Sequence, residues 1–161
     1  MSAFAPQQHA LAGCRLRPFE QDDAAVLAQA LSRLDPWAAL GYGAAALAGY
    51  LGRDDPGLHR FVLAVETDEW AGVFALRSPW LRGPYVELLA VLPGHQGKGL
   101  GGVMVEWAAA RAGDNLWACV SAFNADARRF YARHGFAEVA PLDGLVAAGE
   151  TEILLRRRSD Q

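Results

Sequence analysis

The stretch "ELLAVLPGHQGKGLGGVMVEWAAA" passes from an apolar, β-prone run straight into glycines and out into a helix; four of the six residues from Gly97 to Gly102 are glycine. Glycine loses more backbone freedom on folding than any other residue, so such a run belongs where the main chain turns through positive φ or comes very close to something. The first N–H groups of a helix have no intrahelical partner, and the helix dipole favours negative charge there. Without Cβ atoms in the way, an anion can approach those amides directly. The spacing points to a pyrophosphate at this turn. The same glycines also read as a tight strand-to-helix connection with no ligand.

Three phosphate patterns compete here. A Walker A loop needs Lys and then Ser or Thr directly after its last glycine; Leu100 follows Gly99, so that pattern fails. The dinucleotide pattern G-x-G-x-x-G is met by Gly97, Gly99 and Gly102. It also wants an acidic ribose ligand roughly 20 residues on, where this chain has "SAFN". The turn moreover follows a β-meander and is expected not to open a βαβ unit. The third pattern, Q/R-x-x-G-x-G/A, is met by Gln96, Gly99 and Gly101.

Around the turn, periodicity sets the frame. Residues 1–12 read as a flexible leader, 13–158 as a single domain and 159–161 as a tail. "CRLRPF" alternates as a strand; Asp22 and Asp23 open a helix with Val26, Leu27, Ala30, Leu31 and Leu34 at helical spacing. A second, Ala-rich helix is interrupted near Gly41 and Gly43. "FVLAVE", "WAGVFALR" and "YVELLAV" then read as an antiparallel meander. After the turn comes a helix striped by Leu100, Val103, Met104, Trp107 and Ala108. A strand "NLWACVSAF", a short helix headed by Asn124 and closed by Gly135, and two last strands complete the order β-α-α-β-β-β-α-β-α-β-β. The expected class is α/β (α+β): one mixed, mostly antiparallel sheet flanked by helices.

Composition removes several functions. With 161 residues, 52% hydrophobic and a formal net charge of −3, the chain describes a globular domain without the basic field that nucleic-acid binding requires. The run Arg156 to Arg158 reads as a solvated end. Cys14 and Cys119 form no paired motif, and His9, His59, His95 and His134 show no ligand spacing, so no metal site is expected. His134 is expected to meet the dipole at a helix C-terminus. No membrane-length apolar run or signal peptide is seen, which makes a cytoplasmic protein the default expectation. No G-x-S-x-G or Ser/His/Asp arrangement supports a covalent hydrolase.

"LLAVLPGHQGKGLGGVMVEW" resembles the acyl-CoA-binding motif of the GNAT superfamily of N-acetyltransferases, and "NADARRFYARHGF" resembles that superfamily's second signature. The resemblance covers about Phe61 to Arg157. It implies a GNAT-like fold and transfer of acetyl from acetyl-CoA, without a metal, to a primary amine of a small molecule or a protein. Gln96, Gly97, Lys98, Gly99, Leu100, Gly101 and Gly102 would hold the pyrophosphate. Leu89, Ala90 and Val91 would offer main-chain groups to pantetheine and the thioester carbonyl. Tyr131 would be the acid that protonates the departing thiolate, as a phenol of pKa about 10 can; by its surroundings it also reads as an aromatic packed beside Phe130 and Phe136. Asn124 would cap its helix, touch CoA, or both.

The base is less evident. Some relatives carry a Glu on the strand between the motifs, where this chain has Cys119. Glu87 is the alternative: alternation puts it on the face of Leu89 and Val91, partly desolvated with its pKa raised, or else at a solvent-facing or paired position. The resemblance places the acceptor among Trp37, Tyr42, Trp80 and Tyr85. Two other readings stay open, a non-catalytic acyl-CoA-binding domain and a nucleotide-binding oxidoreductase, as does the choice between monomer and homodimer.

Overall fold

The computed structural model describes residues 2–159; Met1 of the expected leader and the last two residues of the expected tail lie outside them. Among the described residues, eight strands form one sheet in the order β1-β2-β3-β4-β5-β6-β8-β7. They are β1 (His9–Leu11), β2 (Cys14–Pro18), β3 (Leu58–Val65), β4 (Trp70–Arg77), β5 (Tyr85–Val91), β6 (Asn115–Ser121), β7 (Ala137–Asp143) and β8 (Thr151–Arg158). The helices are α1 (Asp23–Leu31), α2 (Ala44–Gly52), α3 (Leu100–Ala109) and α4 (Ala125–Arg133). Every pairing is antiparallel except β5 with β6.

Each sheet face carries its own helix pair. On one, Leu27 and Leu31 of α1 and Leu47 and Leu51 of α2 close over Val62, Val73, Leu88 and Ala90. On the other, Met104 and Trp107 of α3, Tyr131 of α4 and the following Phe136 meet Leu16, Phe61, Phe74, Leu116 and Leu155. A side chain of this size contributes about 1.5–3 kcal/mol when fully buried, so the two layers hold the sheet from both sides. Strand β2 is tied to α1 by Asp23, whose carboxylate takes two bonds of 2.9 Å from Arg17 and one of 2.7 Å from the Glu20 N–H. Burial pushes the Asp23 carboxyl upward, but these bonds outweigh it and hold it below the ordinary range.

Several expectations need correction. The leader contributes β1, and Phe4 packs against Trp107 with only 3% of its surface exposed. Within α1, Val26 points to solvent at 57% exposed, because the buried stripe runs through Ala24, Leu27, Ala28 and Leu31. Arg156 and Arg157 are partnered members of β8. Arg156 donates to Asn115 at 2.8 Å and lies over the Trp117 ring, and Arg157 clamps Glu106 on α3 at 2.8 and 3.0 Å. The glycine turn also does open a βαβ unit, since β5 and β6 are parallel neighbours joined through α3.

Two irregularities open the sheet and re-aim a side chain. Strands β5 and β6 pair only at Tyr85 with Trp117 and Val86 with Ala118, then part. Just there, the register of β5 with β4 slips: Leu76 faces Val86, Ala75 faces Leu88, and Glu87 is the extra residue of a β-bulge. A bulge places two successive side chains on one face. Leu88 and Ala90 therefore pack under α1 and α2, Leu89 and Val91 pack toward α3, and Glu87 joins the α1–α2 face.

Candidate active site

Where β5 and β6 part, a cleft of about 1100 Å3 runs through the sheet, lined from both helix layers. Its floor is the free edge of β5. From Glu87 onward this strand has no β6 partner, so main-chain groups of Leu89, Ala90 and Val91 on that side carry no ladder bond to β6. One end of the cleft is the glycine turn. Gly97 and Gly99 adopt φ of 75° and 81°, the left-handed region that a side chain resists, and a Cβ on either would meet no protein atom within 4 Å. Gly99 is the N-cap of α3 and supplies no side-chain cap, leaving the amides of the first turn to an outside acceptor. The turn thus fits a diphosphate: bare amides, a helix N-terminus and open space.

Gly101 and Gly102 are glycine for a different reason. A Cβ on Gly101 would lie 3.2 Å from the Phe130 ring, and one on Gly102 would lie 2.7 Å from His134. Their small size lets α4 lie close against α3. Gln96 donates to the Val91 carbonyl at 3.0 Å and locks the loop to the end of β5. Leu100 lines the cleft, whereas Lys98 does not.

Helix α4 supplies the opposite wall. The Asn124 side chain accepts from the Ala127 N–H at 3.1 Å, so it caps the helix, and it also borders the cleft. Tyr131 follows two helical turns later on the same face, held edge-on by Phe130 and Phe136 at ring separations of 5.1 Å. Its hydroxyl has no hydrogen-bond partner among the described residues and borders the cleft. Burial first, and Cys119 second, push this phenol well above its ordinary value. His134 is the C-cap residue of α4, and its ring reaches α3, 3.5 Å from Glu106.

Glu87 is paired rather than left in apolar surroundings, and it does not share a face with Leu89 and Val91. Oε1 accepts from Arg77 Nε at 2.7 Å, while Oε2 accepts from Arg77 Nη2 at 3.2 Å and from the Tyr50 hydroxyl. Arg77 also grips Asp55 at 2.9 and 3.2 Å and holds that carboxyl down to about 2. A carboxylate has about four acceptor positions, so one remains on Glu87. Burial, then the bond to Glu87, raises the Tyr50 phenol. Tyr50, read only as a helix residue in sequence, belongs to this site.

Trp37, Tyr42 and Tyr85 line the cleft, and Trp80 does not. Trp80 stacks on Tyr85 at 4.8 Å and meets Trp117 edge-on, acting as a backing for Tyr85. Cys119 lines the cleft within hydrogen-bonding reach of Tyr85, and burial raises its thiol. Glu152 of β8 lines it as well, a residue that sequence reasoning passed over because it lies outside both motifs. Among the described residues no His, Cys, Asp and Glu gather as metal ligands would, and no helix is long and apolar enough to cross a membrane.

Known proteins share this architecture. Streptothricin acetyltransferase of Streptomyces lavendulae is 34% identical over 106 residues, covering 60% of this chain and 56% of that protein. The chain therefore matches little more than half the length of that relative. The crystal structure of nourseothricin acetyltransferase is 32% identical with a TM-score of 0.56, covering 66% of this chain and 68% of the other. An acetyltransferase structure from Thermus thermophilus superposes with a TM-score of 0.73 at 25% identity, over 93% of this chain and 99% of that one. The profile described as the acetyltransferase (GNAT) family matches residues 21–136, most of the chain and the whole of the cleft's two signatures. The chain belongs to that family.

Proposed function

We propose that this protein transfers an acetyl group from acetyl-CoA to an amine of a small molecule. The observation that carries the reading is the parting of β5 from β6 beside an amide-lined turn, with Tyr131 on one helix layer and Glu87 on the other. Family membership favours it over the dinucleotide reading of the glycines. The name of the Streptomyces lavendulae relative supports a small molecule as acceptor.

When bound, acetyl-CoA supplies the thioester whose acetyl carbon the amine attacks, leaving a thiolate. The amides from Gly97 to Gly102 hold the diphosphate at the helix N-terminus. The free β5 edge at Leu89, Ala90 and Val91 aligns the arm and donates main-chain N–H to the thioester carbonyl oxygen. Tyr131, kept protonated by its burial, donates its proton to the thiolate. Glu87, oriented by Arg77 and Tyr50, uses its remaining acceptor position to take the proton that the amine gives up. Trp37, Tyr42 and Tyr85 wall the acceptor side. The test is thiol release from acetyl-CoA across a panel of amines: product and thiol in equal amounts support the reading. No release with any amine, while CoA still binds, would overturn it.

A further inference from the structure

Glu152 is a carboxylate with 7% of its surface exposed, and among the described residues no Arg, Lys or His pairs with it. Its Oε1 accepts from the Ser121 hydroxyl, itself 2% exposed, at 2.6 Å; Oε2 has no partner among the described residues. Glu152 stands directly opposite Ser121 across the β6–β8 pair, so the two share a face with Cys119, two residues back. Val120 and Ile153, on the other face, pack toward α3 and α4. Glu152 therefore opens into the cleft on the α1–α2 face, the face of Tyr50 and Glu87. An unpaired carboxylate in such a position is costly, and an apolar residue would fill the same sheet site more favourably. A cation from outside the chain would complete it.

That cation is not the reacting nitrogen. Glu152 lies on the second strand from β5, which at about 4.8 Å per strand puts it roughly 10 Å away, and further where β5 and β6 part. One ammonium cannot touch both Glu87 and Glu152. We infer that Glu152, oriented by Ser121, docks a second cationic group of the acceptor, so that the preferred substrate is a diamine or polyamine with several atoms between its nitrogens. This rests on the acetyltransferase reading and names the acceptor class for it. Glu152 is then a specificity residue, and chemistry stays with Tyr131 and Glu87.

The experiment measures calorimetric binding of 1,5-diaminopentane and of pentylamine to the CoA-loaded full chain, for the native protein and Glu152→Gln. Glutamine keeps an acceptor for Ser121, and cooperative thermal unfolding checks that the variant folds. The native chain is expected to prefer the diamine by roughly tenfold, the size of one charge-assisted bond. Glu152→Gln should bring that preference to within about twofold and leave CoA affinity unchanged. Ser121→Ala, which frees the carboxylate to turn, should lower it partway. Equal binding of the two amines by the native chain overturns the inference, as does a preference that survives in Glu152→Gln, or a variant that weakens CoA in place of the diamine. Thiol release with each of the two amines, followed in parallel and read as present with at least one or absent with both, tests the acetyltransferase reading separately. Its absence counts against that reading while the binding preference still decides this one.

Discussion

Gly99→Ala separates the conformational role of the turn from its proposed role toward the coenzyme. Gly99 sits at φ 81°, and an added Cβ would meet no protein atom within 4 Å, so the native state suffers no steric clash. What remains is the left-handed backbone, worth roughly 1–2 kcal/mol for a residue with a Cβ. For a chain of this length, each 1 kcal/mol lowers the melting temperature by about 2–4 °C. The new methyl projects into the space assigned to the diphosphate, and relaxation toward a right-handed φ would turn the amides away. Coenzyme affinity should therefore weaken about tenfold. At a coenzyme concentration of 100 native Kd, ligand stabilisation would fall from about 2.7 to about 1.4 kcal/mol. The assay is thermal unfolding with and without acetyl-CoA. Gly101→Ala is the control, because its Cβ would press on the Phe130 ring at 3.2 Å and its cost should fall on stability. A Gly99→Ala protein that melts earlier yet keeps the full coenzyme shift would refute the placement of the diphosphate.

Tyr131→Phe keeps the edge contacts with Phe130 and Phe136 and removes only the hydroxyl proposed as the proton donor. Steady-state kinetics should show kcat down about a hundredfold with acetyl-CoA affinity unchanged, and a full rate would remove this residue from the chemistry. Glu87→Gln leaves Arg77 its contacts with Asp55 and should lower kcat far more than CoA binding; equal activity would dismiss Glu87 as the proton acceptor. Asp23 is one of the carboxylates that contribute to acid stability. Its folded pKa lies below the unfolded value near 3.9, so its stabilisation is complete above that pH and is lost as pH falls through the folded value. Asp23→Asn should cost about 2 kcal/mol at neutral pH, less than a fully buried pair because Arg17 is partly exposed, and should flatten the acid limb in urea titrations at stepped pH.

Local chemistry explains what was legible beforehand. The glycine turn, the Asn cap and the aromatic pair of α4 are each written within about a dozen consecutive residues, and the structure joins them across one cleft. What long-range pairing decides was not legible. Glu87 changes face because β4 slips by one residue against β5, a fact absent from the alternation of "YVELLAV". The strand His9–Leu11 is too short to show a period, and Phe4 is buried by Trp107 and His59, which come from distant parts of the chain. Arg156 and Arg157 looked like a charged end until Asn115, Trp117 and Glu106 supplied partners from elsewhere in the chain. Trp80 stood among acceptor-site aromatics, yet it backs Tyr85 from outside the cleft. Glu152 reads in "TEILLRR" as an ordinary strand carboxylate; only the β6–β8 register shows that it faces the cleft.

The most direct measurement is a crystal structure of the full chain grown with coenzyme A. The account requires diphosphate oxygens on the main-chain amides between Gly97 and Gly102, and a pantetheine arm lying in the gap between β5 and β6. A coenzyme bound elsewhere, with the glycine turn bare and that gap empty, would contradict it.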